Sequence, residues 1–335
     1  MPSLPSRVSR RAFLGGSVAG TMALAAGFGM RERRKNALIA ITFDLEMSRH
    51  YPKRGMTEWD YQKGNLDSAT KNYALEAARI VKKRGGVIHF FCVGRVLEQP
   101  DVGWLKELAK AGHPIGNHTY DHVNVLARKP AETQFRFRRS PWLVRGKTAK
   151  QVIAENIRLT TLALKERAGI TADGFRTPGG FRNGLAGRPD VQKLLLEEEF
   201  SWVSSKYPAH DSGRPKQPPT ADVYASIVTA QRNAQPSTYP SGLVEIPMSP
   251  ISDVNAFRSK FWKLPAYLKA VRLAVERAIA TGGTYDFLCH PSCMLVEDPK
   301  FATVKLICDL VKSAGAKAAI VPLGEFARRA VPATR

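Results

Sequence analysis

Cysteine is scarce in this chain, and so is any internal repeat or low-complexity tract. Its 335 residues include only 4 cysteines, and no two of them form a CxxC pair. That number is too small for a disulfide scaffold, and the missing CxxC pair argues against a metal site built from thiolates. With 44% hydrophobic and 24% charged residues, the composition is that of a globular protein, neither disordered nor fibrous.

Acidic residues are also few compared with basic ones. There are 29 Asp and Glu against 51 Lys and Arg, which gives a formal net charge of +22 at pH 7. A charge of this size favours anionic surroundings, for which nucleic acid, acidic cell-wall polymers and anionic lipid headgroups are candidates. Export, which the N-terminal segment indicates, argues against nucleic acid. The alternative, that the basic composition serves no specific partner, stays open.

The first thirty residues have the pattern of an export signal rather than of a folded domain. Three arginines within residues 7–11 precede an apolar, glycine-rich run over residues 12–30. The stretch SRRAFL resembles a twin-arginine signal, and the ALA tripeptide at residues 23–25 offers a small-residue cleavage site. The glycines make the run a weak membrane anchor, although an uncleaved anchor stays open.

This N-terminal pattern sets the predicted domain organisation and location. Residues 1–30 are predicted as a twin-arginine signal peptide, 31–36 as a basic linker and 37–335 as one catalytic domain. The predicted partner in export is the twin-arginine translocase, and the predicted location is periplasmic or secreted. The sequence does not indicate an oligomeric state.

Apolar runs with strand character alternate with segments of helical periodicity along the rest of the chain. Parallel strands need crossover connections, so this alternation predicts a parallel sheet or a barrel, and about seven units favour barrel-like closure. A proline-rich loop is predicted over 207–222. The predicted strands are 37–43, 87–93, 114–118, 174–178, 201–205, 243–248, 285–290 and 318–323, and the predicted helices are 66–84, 101–112, 150–167, 189–198, 263–280 and 298–314.

Four of the predicted strands end in residues that can ionise or bind a metal. In barrels of this kind the functional residues lie at the C-terminal ends of the strands and in the loops that follow. Side chains at these four ends are therefore expected to meet in one pocket. The residues concerned are Asp44, Glu46, His118, His122, Arg176 and His290.

The spacing of these residues is consistent with one metal-dependent hydrolytic site. Asp44 and Glu46 are two apart, so both side chains of a strand would face the same pocket. His118 and His122 are four apart, so one helical turn would present both to a single ion. Two imidazoles and one carboxylate make an open zinc site, and the second carboxylate is then available as a general base. A pair of surface histidines at a helix start is the alternative.

Four motifs, ITFDLE, GHPIGNHTYDHVNV, GFRTPGG and FLCHP, occur in this order between residues 37 and 327. Their order and spacing resemble those of the polysaccharide deacetylase family, also known as the NodB-homology family or carbohydrate esterase family four. The resemblance implies a distorted (β/α)7 barrel and a metal-dependent N-deacetylase. Among the motifs, the one with the two histidines is the most specific.

The resemblance also implies a metal site and its ligands. His118 and His122 match the family's histidine ligands, and Glu46 stands where a carboxylate ligand is expected. The first motif departs from the common adjacent Asp-Asp form, since it reads Asp-x-Glu and resembles a variant branch. The implied cofactor is a divalent metal, with zinc expected first and cobalt or nickel as alternatives.

Four further residues match the family's catalytic groups. Asp44 resembles the catalytic base, and Arg176 the arginine that holds this base, here expected to form a bidentate pair with it. Gly179 stands where a backbone N–H stabilises the oxyanion. His290 matches the general acid that protonates the leaving amine.

The family's fourth motif has no clear counterpart in the sequence. The family commonly supplies an Asp and a Trp that tune the general acid, whereas the nearest segment here, FSWVSSKYPAH, has Lys206 where an acid would be expected. Asp253 is a possible substitute for the missing acid. A helix-capping role for Asp253 is the alternative, and both stay open.

Three functions compete at this point. The first is removal of N-acetyl groups from a cell-wall or extracellular polysaccharide of the N-acetylglucosamine type, with an anionic or N-acetylated glycan as the partner. The second is hydrolysis of a non-sugar amide or a cyclic ureide on the same fold, which the variant first motif and missing fourth motif leave open. The third is a catalytically silent glycan-binding protein, against which the apparent base and acid argue.

A basic segment over 128–150 follows the two histidines. One interpretation is a platform for an anionic glycan near the mouth of the cleft, with Trp142 stacking on a sugar face. The other is a solvated, flexible insertion. The residues concerned are the basic Arg136, Arg138, Arg139, Arg145, Lys147 and Lys150, together with the aromatic Phe135, Phe137 and Trp142.

Overall fold

The computed structural model describes residues 36–48 and 59–330, with residues 59 and 60 described in backbone only. From Arg34 onward the chain forms one unit. The predicted signal peptide over 1–30 and nearly all of the predicted linker lie outside the described residues. These two predictions, and the domain boundary between them and the catalytic domain, therefore stay predictions.

The strands of the described chain belong to one sheet. Buried parallel strands are built from continuous apolar runs, and the first strand, ALIAITFDL, is of this type and is buried along almost its whole length. The strands are β1 (Ala37–Leu45), β2 (Ile88–Cys92), β3 (Ile115–Asn117), β4 (Phe175–Phe181), β5 (Trp202–Lys206), β6 (Ser237–Thr238), β7 (Val244–Glu245), β8 (Thr284–Cys289) and β9 (Ala318–Ile320).

Helices follow most of these strands and cover the outer face of the sheet. Most of the longer ones carry an apolar face, and the largest hydrophobic cluster draws on the second, eighth and tenth of them together with β1, β2 and β8. The helices are α1 (Trp59–Gln62), α2 (Ser68–Lys83), α3 (Gly103–Lys110), α4 (Phe135–Arg139), α5 (Ala149–Ala163), α6 (Pro189–Glu197), α7 (Ala221–Arg232), α8 (Leu264–Thr281), α9 (Pro291–Glu297), α10 (Ala302–Ala314) and α11 (Leu323–Ala330).

Seven parallel strands run side by side in the order β7-β5-β4-β3-β2-β1-β8, with β6 antiparallel to β7 and β9 parallel to the start of β1. No ladder joins β8 to β7 in the described part of the chain. Instead Ser249, just beyond β7, bonds to Asp286 of β8: its N–H donates to the Asp286 carbonyl at 3.2 Å, and its Oγ accepts from the Asp286 N–H at 2.9 Å. The sheet therefore curls into an incompletely closed barrel, which confirms the predicted distorted (β/α)7 fold.

Parallel pairing brings the C-terminal ends of the strands to one edge. Asp44 is in register with Phe91 of β2, and Phe43 with Cys289 of β8. The loop after β3 and the residue after β8, His290, lie at this same edge. The sheet topology thus collects the residues of the four motifs.

Several elements differ from the sequence prediction. Helix α7 begins where the predicted proline-rich loop 207–222 ends, because Thr220 caps it by accepting the Val223 N–H. The predicted strand 243–248 shortens to Val244–Glu245. The elements that were not predicted are α1, α4, α7, α9, α11 and β6. None of the helices in the described ranges combines the length and the apolar character that crossing a bilayer requires.

Candidate active site

Two carboxylates stand at the end of β1. Asp44 is the last residue but one of the strand, and Glu46 follows its last residue. Both are buried, with 4% and 9% of their surfaces exposed. Both side chains face one pocket, as their two-residue spacing predicted. His118 Nε2 lies 3.1 Å from Glu46 Oε1 and 3.9 Å from Asp44 Oδ2.

The two histidines meet through an irregular loop, and the predicted helical turn is wrong. His118 follows β3, and both Thr119 and His122 have left-handed backbone angles, with φ of 58° and 59°. Local side-chain bonds hold this shape in place of a helix: the Asn117 side chain accepts the Thr119 N–H at 2.8 Å, and Thr119 Oγ1 accepts the Val123 N–H at 3.0 Å. The two imidazole rings nevertheless lie 5.1 Å apart between centroids.

The donor atoms of Glu46, His118 and His122 fit a divalent metal ion. All three lie within 4.8 Å of one another, and His122 Nε2 is 3.0 Å from Glu46 Oε1. His118 Nδ1 bonds to the carbonyl oxygen of Arg176 at 2.9 Å. Because a carbonyl can only accept, Nδ1 carries the proton and Nε2 presents its lone pair to the site, as metal-ligating histidines require.

Charge and burial also suit a metal site. Burial would raise the pKa of Glu46, but His122 and the buried Lys63, which pairs with Glu46 Oε2, outweigh it and hold this pKa well below its usual range. Burial lowers the pKa of His122 to about 4 despite the opposing charge of Glu46. Glu46 is therefore ionised and His122 neutral near pH 7, the states that metal ligation needs. No motif in the sequence pointed to Lys63.

Asp44, Glu46 and His290 form a second group whose donor atoms lie equally close together. Charge argues against this group as the metal site. Arg176 Nη1 donates to Asp44 Oδ1 at 3.1 Å and shares the charge of that carboxylate. Asp253, 3.0 Å from His290 Nδ1, raises the pKa of His290, and a ring protonated on both nitrogens has no lone pair for a metal. Glu46, His118 and His122 are therefore the better candidate set.

Arg176 lies fully buried beneath Asp44 and binds more than that carboxylate. Its Nη1 donates to Asp44 and, at 2.8 Å, to Thr42 Oγ1, whereas its Nη2 donates to Asp286. The guanidinium also stacks on the ring of Phe91, 4.4 Å from its centroid. The expected bidentate pair with Asp44 is therefore wrong, because the second arm of the arginine is used by Asp286. A lone acid inside the apolar run YDFLCH was the available signal for Asp286.

Asp253 is the partner of His290, which the missing fourth motif left undecided. Its Oδ2 accepts the backbone N–H of His290 at 2.7 Å, and its Oδ1 also accepts the Val254 N–H at 2.9 Å. Both interpretations of Asp253 are thus correct, since it binds the histidine and caps a turn. Burial opposes protonation of His290, but Asp253 and Glu46 outweigh it and raise the pKa of His290 well above its usual value. Lys206 is not among the described partners of His290.

Gly179 lies on β4 beside the site. It is exposed, with φ of +80°, in the part of β4 where the register to β5 shifts between Arg176 and Phe181. Its carbonyl accepts from Thr177 Oγ1 at 2.7 Å. The geometry leaves room next to this backbone, and the predicted oxyanion role of its N–H stays a prediction.

Comparison with protein families supports the resemblance seen in the sequence. Residues 31–194 match the family model described as polysaccharide deacetylase. This range includes the motifs at the ends of β1, β3 and β4 but stops before Asp253 and His290. None of the curated proteins matches the chain at a significant level.

Comparison with solved structures confirms the fold. A Mycobacterium smegmatis protein assigned as a polysaccharide deacetylase is 16% identical, with 89% of this chain and 91% of that one covered and a TM-score of 0.61. One from Pseudomonas aeruginosa PAO1 with the same assignment is 12% identical, with 87% and 89% covered and a TM-score of 0.55. The PuuE allantoinase is 13% identical, with 89% and 91% covered and a TM-score of 0.53. At these identities the likeness establishes the fold alone.

Proposed function

This chain carries a polysaccharide deacetylase domain, matched over residues 31–194, and from that premise we propose that it is a metal-dependent hydrolase. The proposed reaction removes N-acetyl groups from a cell-wall or extracellular polysaccharide of the N-acetylglucosamine type. One observation carries the proposal. Asp44 and His290 approach to 4.0 Å across a site whose third side is the metal-binding set Glu46, His118 and His122. Amide hydrolysis needs this combination of a base, an acid and an electrophile.

Asp44 is the proposed general base. Its single bond from Arg176 fixes the carboxylate on one side and leaves Oδ2 facing the histidines, where it is oriented to take a proton from the attacking water. A divalent ion on Glu46, His118 and His122 would polarise the acetyl carbonyl and activate the water. The burial of Asp44 and Arg176 keeps their mutual orientation fixed during the reaction.

His290 is the proposed general acid on the opposite side of the site. Asp253 keeps its ring charged and oriented, with Nε2 pointing toward Glu46 Oε1 at 3.5 Å and Asp44 Oδ2 at 4.0 Å. From there it can donate a proton to the amine as the carbon–nitrogen bond breaks, which releases acetate. The backbone N–H of Gly179 is the proposed donor to the oxyanion.

Removal of the metal is expected to abolish activity. The protein is assayed for acetate release from N-acetylglucosamine oligomers and purified peptidoglycan, first as the zinc-loaded form and then after chelation and dialysis. We expect turnover of at least one glycan to fall by about 10²-fold or more on chelation, since the electrophile is lost, and to return with zinc, cobalt or nickel. Turnover that survives complete metal removal would contradict the proposed mechanism.

Replacement of Asp253 with asparagine tests the assignment of the general acid. His290 must carry a proton to act, so activity falls as the pH rises through its pKa. Asp253 raises this pKa, and the neutral amide removes the charge while keeping one oxygen that can accept from the His290 ring. We expect the alkaline limb of the kcat profile to move to lower pH by roughly one to two units. Zinc affinity serves as the control and should not change, and an unmoved limb would exclude His290 as the acid.

A second candidate function is hydrolysis of a non-sugar amide or cyclic ureide. Two observations support it: the structural likeness to an allantoinase, and Glu46, which departs from the adjacent Asp-Asp form of the common first motif. Ring opening of allantoin is therefore assayed beside the glycans, and turnover of allantoin alone would favour this function. A catalytically silent glycan-binding protein would not require the buried Arg176–Asp44 pair or the Asp253–His290 pair.

We further propose that the protein is exported by the twin-arginine pathway to the periplasm or the outside of the cell. The arginines within residues 7–11 support this route. Export also fits the proposed substrate, because cell-wall and extracellular glycans are found there. Relocation of the protein to the cytoplasm when Arg10 and Arg11 are both changed to lysine would test the route.

A further inference from the structure

The segment from Phe135 to Arg145, called here the basic loop, lies next to the proposed active site and exposes charge of one sign. Residues 133–154 contain six Lys and Arg but no Asp or Glu. Any ion pair that these cations form must therefore come from acidic residues outside the stretch. Its surroundings therefore decide what it can bind.

The basic loop packs against the rest of the domain and is not a loose insertion. It consists of helix α4, whose N-cap Gln134 accepts the Arg136 N–H, and a 3₁₀ turn over Pro141–Val144. Phe137 and Val144 anchor it, since each has only 5% of its surface exposed and packs in a hydrophobic cluster with β4, α5 and α6. The backbone between these anchors is therefore held in place against the domain.

Two contacts place the basic loop beside the proposed metal site. Arg136 pairs with Asp121, which stands between the two histidine ligands in the chain. The ring of Phe135 packs edge-on against Tyr61, 6.3 Å between centroids, and Tyr61 is two residues before Lys63, which pairs with Glu46. A polymer bound at the metal would therefore pass close to this loop.

Three arginines and a tryptophan of the basic loop face solvent. Lys147 and Lys150, just beyond the loop, face Glu155 and Glu197, but Arg138, Arg139 and Arg145 are exposed and form no ion pair among the described residues. Arg139 stacks on Phe135, 4.6 Å from the ring centroid, which limits its motion. Trp142 has 63% of its surface exposed and Leu143 49%. Cations on an anchored backbone beside an open aromatic surface suit a polymer that carries both negative charges and apolar sugar faces.

We propose that the basic loop is a docking surface for an acidic polysaccharide, with Arg138, Arg139 and Arg145 binding its carboxylate or phosphate groups and Trp142 stacking on a sugar ring. This inference rests on the proposed function and names its substrate class: an N-acetylated glycan that is also anionic. Arg136 is not part of the docking set, because its charge is used to hold Asp121.

The test compares two triple variants that lose the same charge. In the first, Arg138, Arg139 and Arg145 are changed to serine. In the matched control, Lys83, Lys312 and Lys317 are changed to serine; these exposed lysines lie near the starts of β2 and β9, at the edge of the sheet opposite the site. Both sets are made with Asp44→Asn, so that binding is measured without turnover.

Binding is measured with two oligosaccharides at low ionic strength, on the order of 50 mM. Hyaluronan decamer is acidic and N-acetylated, whereas the N-acetylglucosamine hexamer is neutral. We expect the first triple variant to bind the hyaluronan oligosaccharide about tenfold more weakly, the control within about twofold of the parent, and the neutral oligosaccharide to be unaffected by either. Trp142→Ala should weaken the binding of both oligosaccharides. With active protein, the first triple variant should raise KM for an acidic substrate and leave kcat unchanged.

Several outcomes would overturn the docking proposal. Equal weakening in both triple variants would mean that only the total charge matters. Salt-sensitive binding to phosphatidylglycerol vesicles through the same arginines, without binding of hyaluronan, would make the surface a membrane contact instead. Turnover of neutral glycans with no binding of acidic ones would leave the proposed function standing and remove the docking surface. Binding of the acidic glycan by a protein that releases no acetate would leave the docking surface standing and remove the proposed function.

Discussion

Asp44→Asn is expected to lower acetate release by about 10³-fold while the protein stays folded and binds its metal. The amide cannot take a proton from water, and general base catalysis contributes typically 10²- to 10⁴-fold. The fold should tolerate the change because the buried Arg176 keeps Asp286 as an anionic partner and Thr42 as an acceptor. The measurements are kcat/KM on the best glycan of the panel and the zinc dissociation constant.

The matched control is Asp298→Asn, which changes another fully buried carboxylate to its amide. Asp298 caps α10 by accepting the N–H groups of Ala302 and Thr303 at 2.8 and 2.7 Å, and is not among the described contacts of the site. This variant should lose stability, by about 1 kcal/mol for a weakened cap, but keep its activity within about threefold. An equal loss of activity in both variants would mean that Asp44 acts through stability.

Zinc binding in Asp44→Asn decides between the two possible donor sets. If the metal lies on Glu46, His118 and His122, its affinity should change little. If Asp44 is instead a ligand together with Glu46 and His290, the variant should lose both metal and activity, and the assignment of the base would be wrong. Retention of more than about a tenth of the activity would exclude Asp44 from both roles.

The site was largely predictable because parallel strands carry their functional residues at one end. Asp44, Glu46 and His290 each lie at or just beyond the end of a buried apolar strand, so their convergence follows from topology alone. Arg176 is instead the second residue of β4 and reaches Asp44 from within the sheet. The same logic does not reach Asp286, which lies within β8 and becomes a site residue only through the barrel's curvature, because that curvature brings it to Arg176.

Residues that come from loops were predicted less well. The histidine spacing fits a helical turn equally well in sequence, and only the local bonds of Asn117 and Thr119 favour the irregular loop instead. Asp253 lies 37 residues from His290, in a segment without a recognisable strand. Its pairing depends on where the chain after β7 crosses the site, which single-sequence patterns do not encode. Helix α7 was not predicted, and its first residue, Ala221, lies within the predicted proline-rich loop 207–222.

Acid is expected to destabilise the fold through His89, a buried residue on β2. Its ring stacks on Phe91 at 4.7 Å between centroids, Nε2 bonds to the Asp173 carbonyl at 2.9 Å, and Nδ1 accepts the Leu323 N–H at 3.4 Å. The carbonyl requires the proton on Nε2, so the ring is a satisfied neutral imidazole with no acceptor for a second proton. Burial, assisted by the charge of Arg176 and opposed by the Asp173 carbonyl, lowers the pKa of His89 to about 3.

The sign of the effect follows from proton binding. An unfolded histidine takes up its proton near pH 6.5, whereas folded His89 does so only near pH 3. The contribution of His89 to stability is therefore complete above about pH 6.5 and is lost as the pH falls toward 3, by about 1.4 kcal/mol per pH unit and about 5 kcal/mol in total. His113, whose pKa burial lowers to about 4, adds to the same slope.

His89→Gln is expected to flatten this pH dependence. Glutamine can replace one or both hydrogen bonds but cannot take up a proton, so the variant should be less stable than the parent at pH 7 and should lose less stability on acidification. Urea unfolding at pH 7, 5.5 and 4.5 measures the free energy of unfolding of both proteins. Since His113 and the acidic groups are common to both, the difference between the two slopes isolates His89, at about 1.4 kcal/mol per pH unit. Parallel slopes would mean that His89 is already protonated, or exposed, in the folded protein.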